Sequence, residues 1–217
     1  MEGFFPFCRS VDFCRIGCPR MNFSTLNQMI VAIREIEPSR GLLLFGSSSL
    51  LVSFPNQTPE TLGVEVTIDA DLFLDPDDEP KRKLLLSIMG QGREYHLENG
   101  FYCDFVDAQA DGWFPRGWKE RLVAFPGHAN VCAMHPVDAS AAKLVATAHS
   151  RVDKRMAKRL HDRGLKDIDT VVALVRFGYV VLDQVIARLD EIALTPAYLA
   201  ELDLVVAEVR RQVGNGL

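Results

Sequence analysis

Two aspartates, Asp69 and Asp71, stand one residue apart in the run Ile68-Asp69-Ala70-Asp71-Leu72. On a strand, residues i and i+2 face the same side of the sheet, so both carboxylates would project together. Like charges held that close repel each other unless a cation lies between them. Hard carboxylate oxygens suit Mg²⁺ (or Mn²⁺) shared with substrate phosphates. A solvated acidic edge would carry the same pair, since Asp75, Asp77, Asp78 and Glu79 follow at once. The second feature is Phe45-Gly46-Ser47-Ser48. Glycine lets the backbone approach a ligand closely. The hydroxyls of Ser47 and Ser48 and the N–H groups of a following helix can then face an anion such as a triphosphate. No Gly-Lys-Ser/Thr follows, so the run is not a P-loop. Leu50 stands where a nucleophile elbow would carry its second glycine. A plain turn is the competing reading.

These residues need particular elements around them. Gly41-Leu-Leu-Leu-Phe45 reads as a buried strand, and Gly46–Phe54 as a turn and short helix stopped by Pro55. Val64 to Phe73 reads as a second strand, with Val64, Val66 and Ile68 alternating with Glu65, Thr67 and Asp69. An acidic turn at 75–79 leads to a helix around Arg82–Met89. Phe101–Val106, Leu122–Phe125 and Val131–Met134 are further strands. A first helix runs from Ser24, as N-cap, to Glu35, with Leu26, Met29, Ile30 and Ile33 on one face. From Asp138, read as an N-cap, a helix extends to about residue 163, and three more helical stretches follow. Leu182, Val185, Ile186, Leu189 and Ile192 form one stripe. Leu202, Val205, Val206, Val209 and Val213 form another, after Thr195-Pro196. The expected layout is α+β: a loose N-terminal extension (1–20), a mixed α/β core (21–136) and a helical C-terminal half (137–217).

The bulk properties narrow the class. The chain has 217 residues, 48% hydrophobic and 24% charged, as in an ordinary globular protein. That composition excludes a mostly disordered chain, and no apolar run reaches the ~20 residues that span a bilayer. A net charge of −5 argues against a nucleic-acid coat protein. Five cysteines, an odd number with Cys8, Cys14 and Cys18 crowded at the N-terminus, argue against a disulfide framework. Those three lack a nearby fourth metal ligand, the first histidine being His96, so free thiols are the simpler reading. With no uninterrupted apolar leader, a reducing, cytoplasmic compartment is expected.

A strand, a Gly-Ser turn, a helix and then a strand bearing Asp-x-Asp together resemble the DNA polymerase β-like nucleotidyltransferase superfamily. The likeness extends to Gly46-Ser-Ser-Ser-Leu-Leu-Val-Ser-Phe-Pro55, Thr67-Ile-Asp-Ala-Asp71, Tyr95-His-Leu-Glu-Asn-Gly-Phe-Tyr102, Pro115-Arg-Gly-Trp-Lys-Glu-Arg-Leu122 and His135-Pro-Val-Asp138 with Lys143-Leu144. Over roughly residues 24–193 the chain is similar to bacterial nucleotidyltransferase-like proteins related to the AbiEii and MenT toxins of toxin–antitoxin systems.

The resemblance implies a nucleotidyltransferase-type mixed sheet with flanking helices, and transfer of a nucleoside monophosphate from NTP to an RNA or protein acceptor. Such a protein can be a toxin paired with an antitoxin. In that chemistry two metal ions ~3.5–4 Å apart clamp the attacking and leaving oxygens. Asp69 and Asp71 would hold metal, and Gly46, Ser47 and Ser48 the triphosphate. A third carboxylate is expected from Asp104, with Asp107 as its rival. Lys143 matches a lysine of the family's first C-terminal helix, and a lysine there would meet phosphate as a point cation. Lys166-Asp167 matches a later basic–Asp pair, although the stretch between Lys143 and Lys166 is long and His149, Ser150 and Arg151 compete for that role. Between Arg151 and Lys166, seven basic residues stand against Asp153 and Asp162. This basic helix (151–166) could meet the phosphates of a tRNA or other RNA, or form a solvated face. Trp113 and Trp118 could stack a base or simply pack in the core. Two other functions remain: a catalytically inactive binding or regulatory protein of the same fold, and a small-molecule (antibiotic) nucleotidyltransferase. No membrane partner is expected.

Overall fold

The computed structural model describes residues 21–64, 67–153 and 157–215, with backbone alone for 108–109 and 157–165. Cys8, Cys14 and Cys18 lie outside these residues. The first helix, α1 (Phe23–Ile36), leads to strand β1 (Gly41–Phe45) and helix α2 (Gly46–Ser53). Strand β2 (Asp69–Asp75), helices α3 (Glu79–Met89) and α4 (Glu94–Asn99) and strand β3 (Tyr102–Phe105) follow. Short 3₁₀ turns at Ala108–Trp113 and Trp118–Arg121 precede strands β4 (Val123–Ala124) and β5 (Val131–Ala133). Helices α5 (Pro136–Val152), α6 (Ala157–Arg176), α7 (Leu182–Leu189) and α8 (Pro196–Gly214) complete the chain. The fold is α+β, with a five-stranded mixed sheet ordered β3-β2-β1-β5-β4 and flanking helices.

Strand register decides which side chains share a face. β1 and β2 run antiparallel, with Phe45 opposite Asp71 and Leu43 opposite Phe73. β2 and β3 run parallel, with Asp69 opposite Tyr102 and Asp71 opposite Asp104. Directly opposed residues face the same way. One face therefore carries Asp69, Asp71, Phe73, Phe45 and Asp104. The other carries Leu42, Leu44, Ala70, Leu72, Cys103 and Ala133, all fully buried. These join Leu144 and Val145 of α5, Ile168 of α6 and Val205 of α8 in one continuous core.

Four local expectations are corrected. α1 is capped at Asn22, not Ser24: Asn22 Oδ1 accepts from Thr25 N–H at 3.0 Å while Thr25 Oγ1 accepts from Asn22 N–H at 2.9 Å. Such reciprocal pairing satisfies two otherwise orphaned donors, and Ser24 offers only one. β2 begins at Asp69, not Val64. Thr67 N–H turns back to Val64 O, Thr67 is buried and Ile68 is exposed, the reverse of the alternation read from the sequence. The helix begun near Asp138 does not reach residue 163. α5 ends at Val152 and α6 starts at Ala157. Nor is Asp138 its cap. His135 Nδ1 accepts from Val137 N–H, Pro136 supplies the first helical residue, and Asp138 lies inside the first turn. Its carboxylate is completely buried and accepts two hydrogen bonds from Arg121 at 2.9 Å, with Arg188 at 3.3 Å. A buried carboxylate needs such partners, and this one ties α5 to the segment before β4 and to α7.

A second buried carboxylate closes the end of α1. Glu37 Oε1 accepts from Ser39 Oγ at 2.6 Å and from the Ser39 and Arg40 N–H groups, and Lys81 lies 3.3 Å from Oε2. The Ser39 hydroxyl, more than any other partner, holds the Glu37 carboxyl down to about 2. A depressed carboxyl stabilises the fold above its unfolded pKa, and that stability is lost as pH falls toward the folded value. Wild type should therefore lose stability between the ordinary carboxylate range and about pH 2. Urea unfolding of Glu37→Gln should lack this component and should be about 2 kcal/mol weaker at neutral pH. Among the described residues, no helix is long and apolar enough to cross a membrane.

Candidate active site

β1 ends in the middle of the sheet and passes directly into α2. Gly46 makes the junction at φ +64°, a left-handed conformation that a side chain would strain. Its missing Cβ is also needed for space: an added Cβ would lie 2.5 Å from Asp71 Oδ2. The glycine thus brings the first turn of α2 against the strand aspartates. Among the described residues no side chain caps that turn, because the N-cap position is held by Phe45. Ser48 Oγ donates to Phe45 O at 3.0 Å and Ser49 Oγ to Gly46 O at 2.7 Å, and both serines are buried.

Opposite this turn stands Lys143 of α5, only 7% exposed. Its Nζ donates to Ser47 Oγ at 3.0 Å and to Asp167 Oδ1 of α6 at 2.6 Å. One ammonium thus bridges the start of α2 and the face of α6. A cavity of about 290 Å³ opens here. Gly46, Ser47, Asp69, Asp71, Lys143, Lys166 and Asp167 all line it, together with Phe45, Trp113 and Phe114. Small residues of α5, Ala139, Ala142 and Ala146, with Ser150, leave it room.

The geometry sorts the residues singled out from the sequence. Gly46, Ser47, Asp69, Asp71, Lys143, Lys166 and Asp167, with Trp113 and Ser150, converge on one cavity. Ser48 does not line it, since its hydroxyl is spent on the backbone. Asp104 shares the face of Asp71 but sits exposed beyond the lining, and Asp107 lies past the end of β3. Among the described residues, no three carboxylate, imidazole or thiolate side chains cluster as a metal-binding group. Arg151 is committed to Glu201 and Glu208 of α8. The side chains of residues 154–165, most of the basic stretch, lie outside the described residues. Trp118 is buried in the core, where Asp111 accepts from its ring N–H. Trp113 instead is 48% exposed at the cavity.

Helical spacing was the signal for the rest of this wall, of which the sequence reading had named only Ser150. Ala139, Ala142, Ala146 and Ser150 fall on the same helical face as Lys143, a stripe of small side chains beside one cation. His149 lies between two rings, Trp113 at 4.1 Å and Tyr198 at 3.8 Å. Burial lowers its pKa, so the imidazole is neutral at neutral pH.

Comparison with protein-family models, curated proteins and solved structures gives no match. The functional reading of the cavity therefore rests on its chemistry. Two carboxylates sit on one strand face with a backbone turn packed against one of them, and two lysines line the same cavity. This arrangement fits a hard divalent cation shared with phosphate oxygens, two protein carboxylates being a usual complement for Mg²⁺.

Proposed function

We propose that the chain is a metal-dependent nucleotidyltransferase of the DNA polymerase β-like type, transferring a nucleoside monophosphate from NTP to a hydroxyl of RNA or protein. The single observation that carries this reading is the convergence on one cavity of the Gly46-Ser47 turn, the Asp69–Asp71 pair and Lys143. In this reading the first turn of α2 and Lys143 take the triphosphate, with helix N–H groups and the ammonium matching its charge. Asp167 holds the Lys143 side chain toward the cavity. Asp69 and Asp71 would hold Mg²⁺ or Mn²⁺, which when bound neutralises phosphate charge and stabilises the leaving oxygens. The acceptor hydroxyl oxygen attacks the α-phosphorus and forms the new P–O bond. The bond from that phosphorus to the bridging oxygen breaks, and pyrophosphate leaves with the electron pair. The hydroxyl proton passes to a carboxylate, for which Asp104, on the same sheet face, is the candidate.

The test is transfer from α-labelled NTPs, with Mg²⁺, into total RNA and protein of a bacterial extract. Label in either fraction with wild type and not with the Asp69→Ala/Asp71→Ala double variant supports the reading, and the labelled species names the acceptor. The same lining would serve a second reading, a nucleotide-binding protein without catalysis, in which Gly46, Ser47 and Lys143 hold the phosphates. NTP binding without any transfer would decide for it.

A further inference from the structure

Trp113 is a large apolar side chain left 48% exposed at the edge of the cavity, an arrangement that costs hydration unless something covers it. Its ring stacks on His149 with an interplanar angle of 21°, and His149 stacks on Tyr198 at the same angle. Three rings from three separate elements thus form a column whose Trp113 end borders the cavity. The segment that carries Trp113 is fixed on both sides. Asp111 accepts from the Trp118 ring N–H and pairs with Lys119, and Phe114 packs between Phe45, Phe73 and Trp118. A platform held this firmly loses little freedom when a flat ligand lands on it.

We infer that Trp113 is the stacking platform for the nucleobase of the bound nucleotide, backed by His149 and Tyr198. This rests on the reading of the cavity as an NTP site, with phosphates at the Gly46-Ser47 end and base at the Trp113 end. Every base has a π-face, so stacking binds without choosing strongly among bases. The hydroxyl proton of Ser150 on this wall is donated to Thr147 O, so Ser150 offers a base an acceptor only. ATP and GTP should bind better than UTP and CTP, by the larger purine surface.

Calorimetry with Mg²⁺ separates the two ends of the site by comparing ATP with inorganic tripolyphosphate, which has no base. Trp113→Ala should weaken ATP about tenfold and leave tripolyphosphate unchanged, and Trp113→Phe should recover most of the loss. In wild type, ATP should quench the fluorescence of the exposed indole and tripolyphosphate should not, since Trp118 is buried. Equal weakening of both ligands, unchanged ATP affinity in Trp113→Ala, or ATP binding without quenching would each overturn the platform. Wild type binding tripolyphosphate as tightly as ATP would overturn it while leaving the phosphate site standing. Wild type binding neither would remove the NTP reading and the platform with it.

Discussion

Asp69→Asn and Asp71→Asn are each expected to lower transfer of α-label by at least about 10³-fold, because in the proposed reaction they would hold a metal whose stabilisation of the leaving charge supplies several kcal/mol. Neither variant should unfold. Both carboxylates are partly exposed on the cavity face, while the core side of β2 is built by Ala70, Leu72 and Leu74. Without Mg²⁺ the variants should therefore melt close to the wild-type temperature. With Mg²⁺ and NTP the wild type should gain stability by ligand linkage, and the variants should gain less, keeping only the phosphate and base contacts. Thermal melts with and without Mg²⁺-NTP check both at once. Loss of transfer with an unchanged Mg²⁺-NTP melting shift would mean that the aspartates act elsewhere than in holding the cation.

Gly46→Ala carries the second large effect, and for two separable reasons. At φ +64° any L side chain costs about 1–2 kcal/mol. The new methyl would also lie 2.5 Å from Asp71 Oδ2, so either the turn or the carboxylate must move. Displacement by an ångström at a catalytic group costs about 100-fold in rate. Gly178→Ala supplies the control. Gly178 has φ +72° with open space where its Cβ would be, and it does not line the cavity. In urea Gly178→Ala should lose the conformational cost alone and Gly46→Ala that cost plus the contact with Asp71, and only Gly46→Ala should lose transfer. If Gly178→Ala lost transfer equally, general destabilisation would explain Gly46→Ala and the close approach to Asp71 would carry no function.

Much of the sheet was legible because its strands are short and apolar. The runs at 41–45, 101–106 and 131–134 each contain the observed strand. The carboxylate pair was legible because alternate strand residues share a face whatever the fold. The start of β2 was not, since Val64, Val66 and Ile68 alternate with polar residues while Thr67 N–H turns back to Val64 O. Backbone hydrogen bonding settles that question, and residue pattern alone does not. Asp138 was misread as a cap for a related reason. An acidic residue near a helix start serves equally well one turn in, and its true partners, Arg121 and Arg188, are set by packing. The nearness of Lys143, Lys166 and Asp167 to the strand aspartates could be reached only through resemblance, because two helices and a sheet must pack first. The role of Trp113 was open for the same reason. Its difference from Trp118 is exposure, which a tertiary structure sets.

In the proposed reaction the cavity moves the α-phosphoryl group of a nucleotide with its nucleoside attached. This is tested most directly by incubating the protein, Mg²⁺ and bacterial extract with one NTP labelled at the α-phosphate and, in parallel, at the γ-phosphate. Beyond what the Asp69→Ala/Asp71→Ala variant gives in the same extract, wild type should add α-label to an RNA or protein acceptor and no γ-label there, the γ-phosphate leaving in pyrophosphate. γ-Label in the acceptor above the variant's level would show phosphoryl rather than nucleotidyl transfer, and no label above that level from either position, with folded protein that binds the NTP, would contradict catalysis at this site.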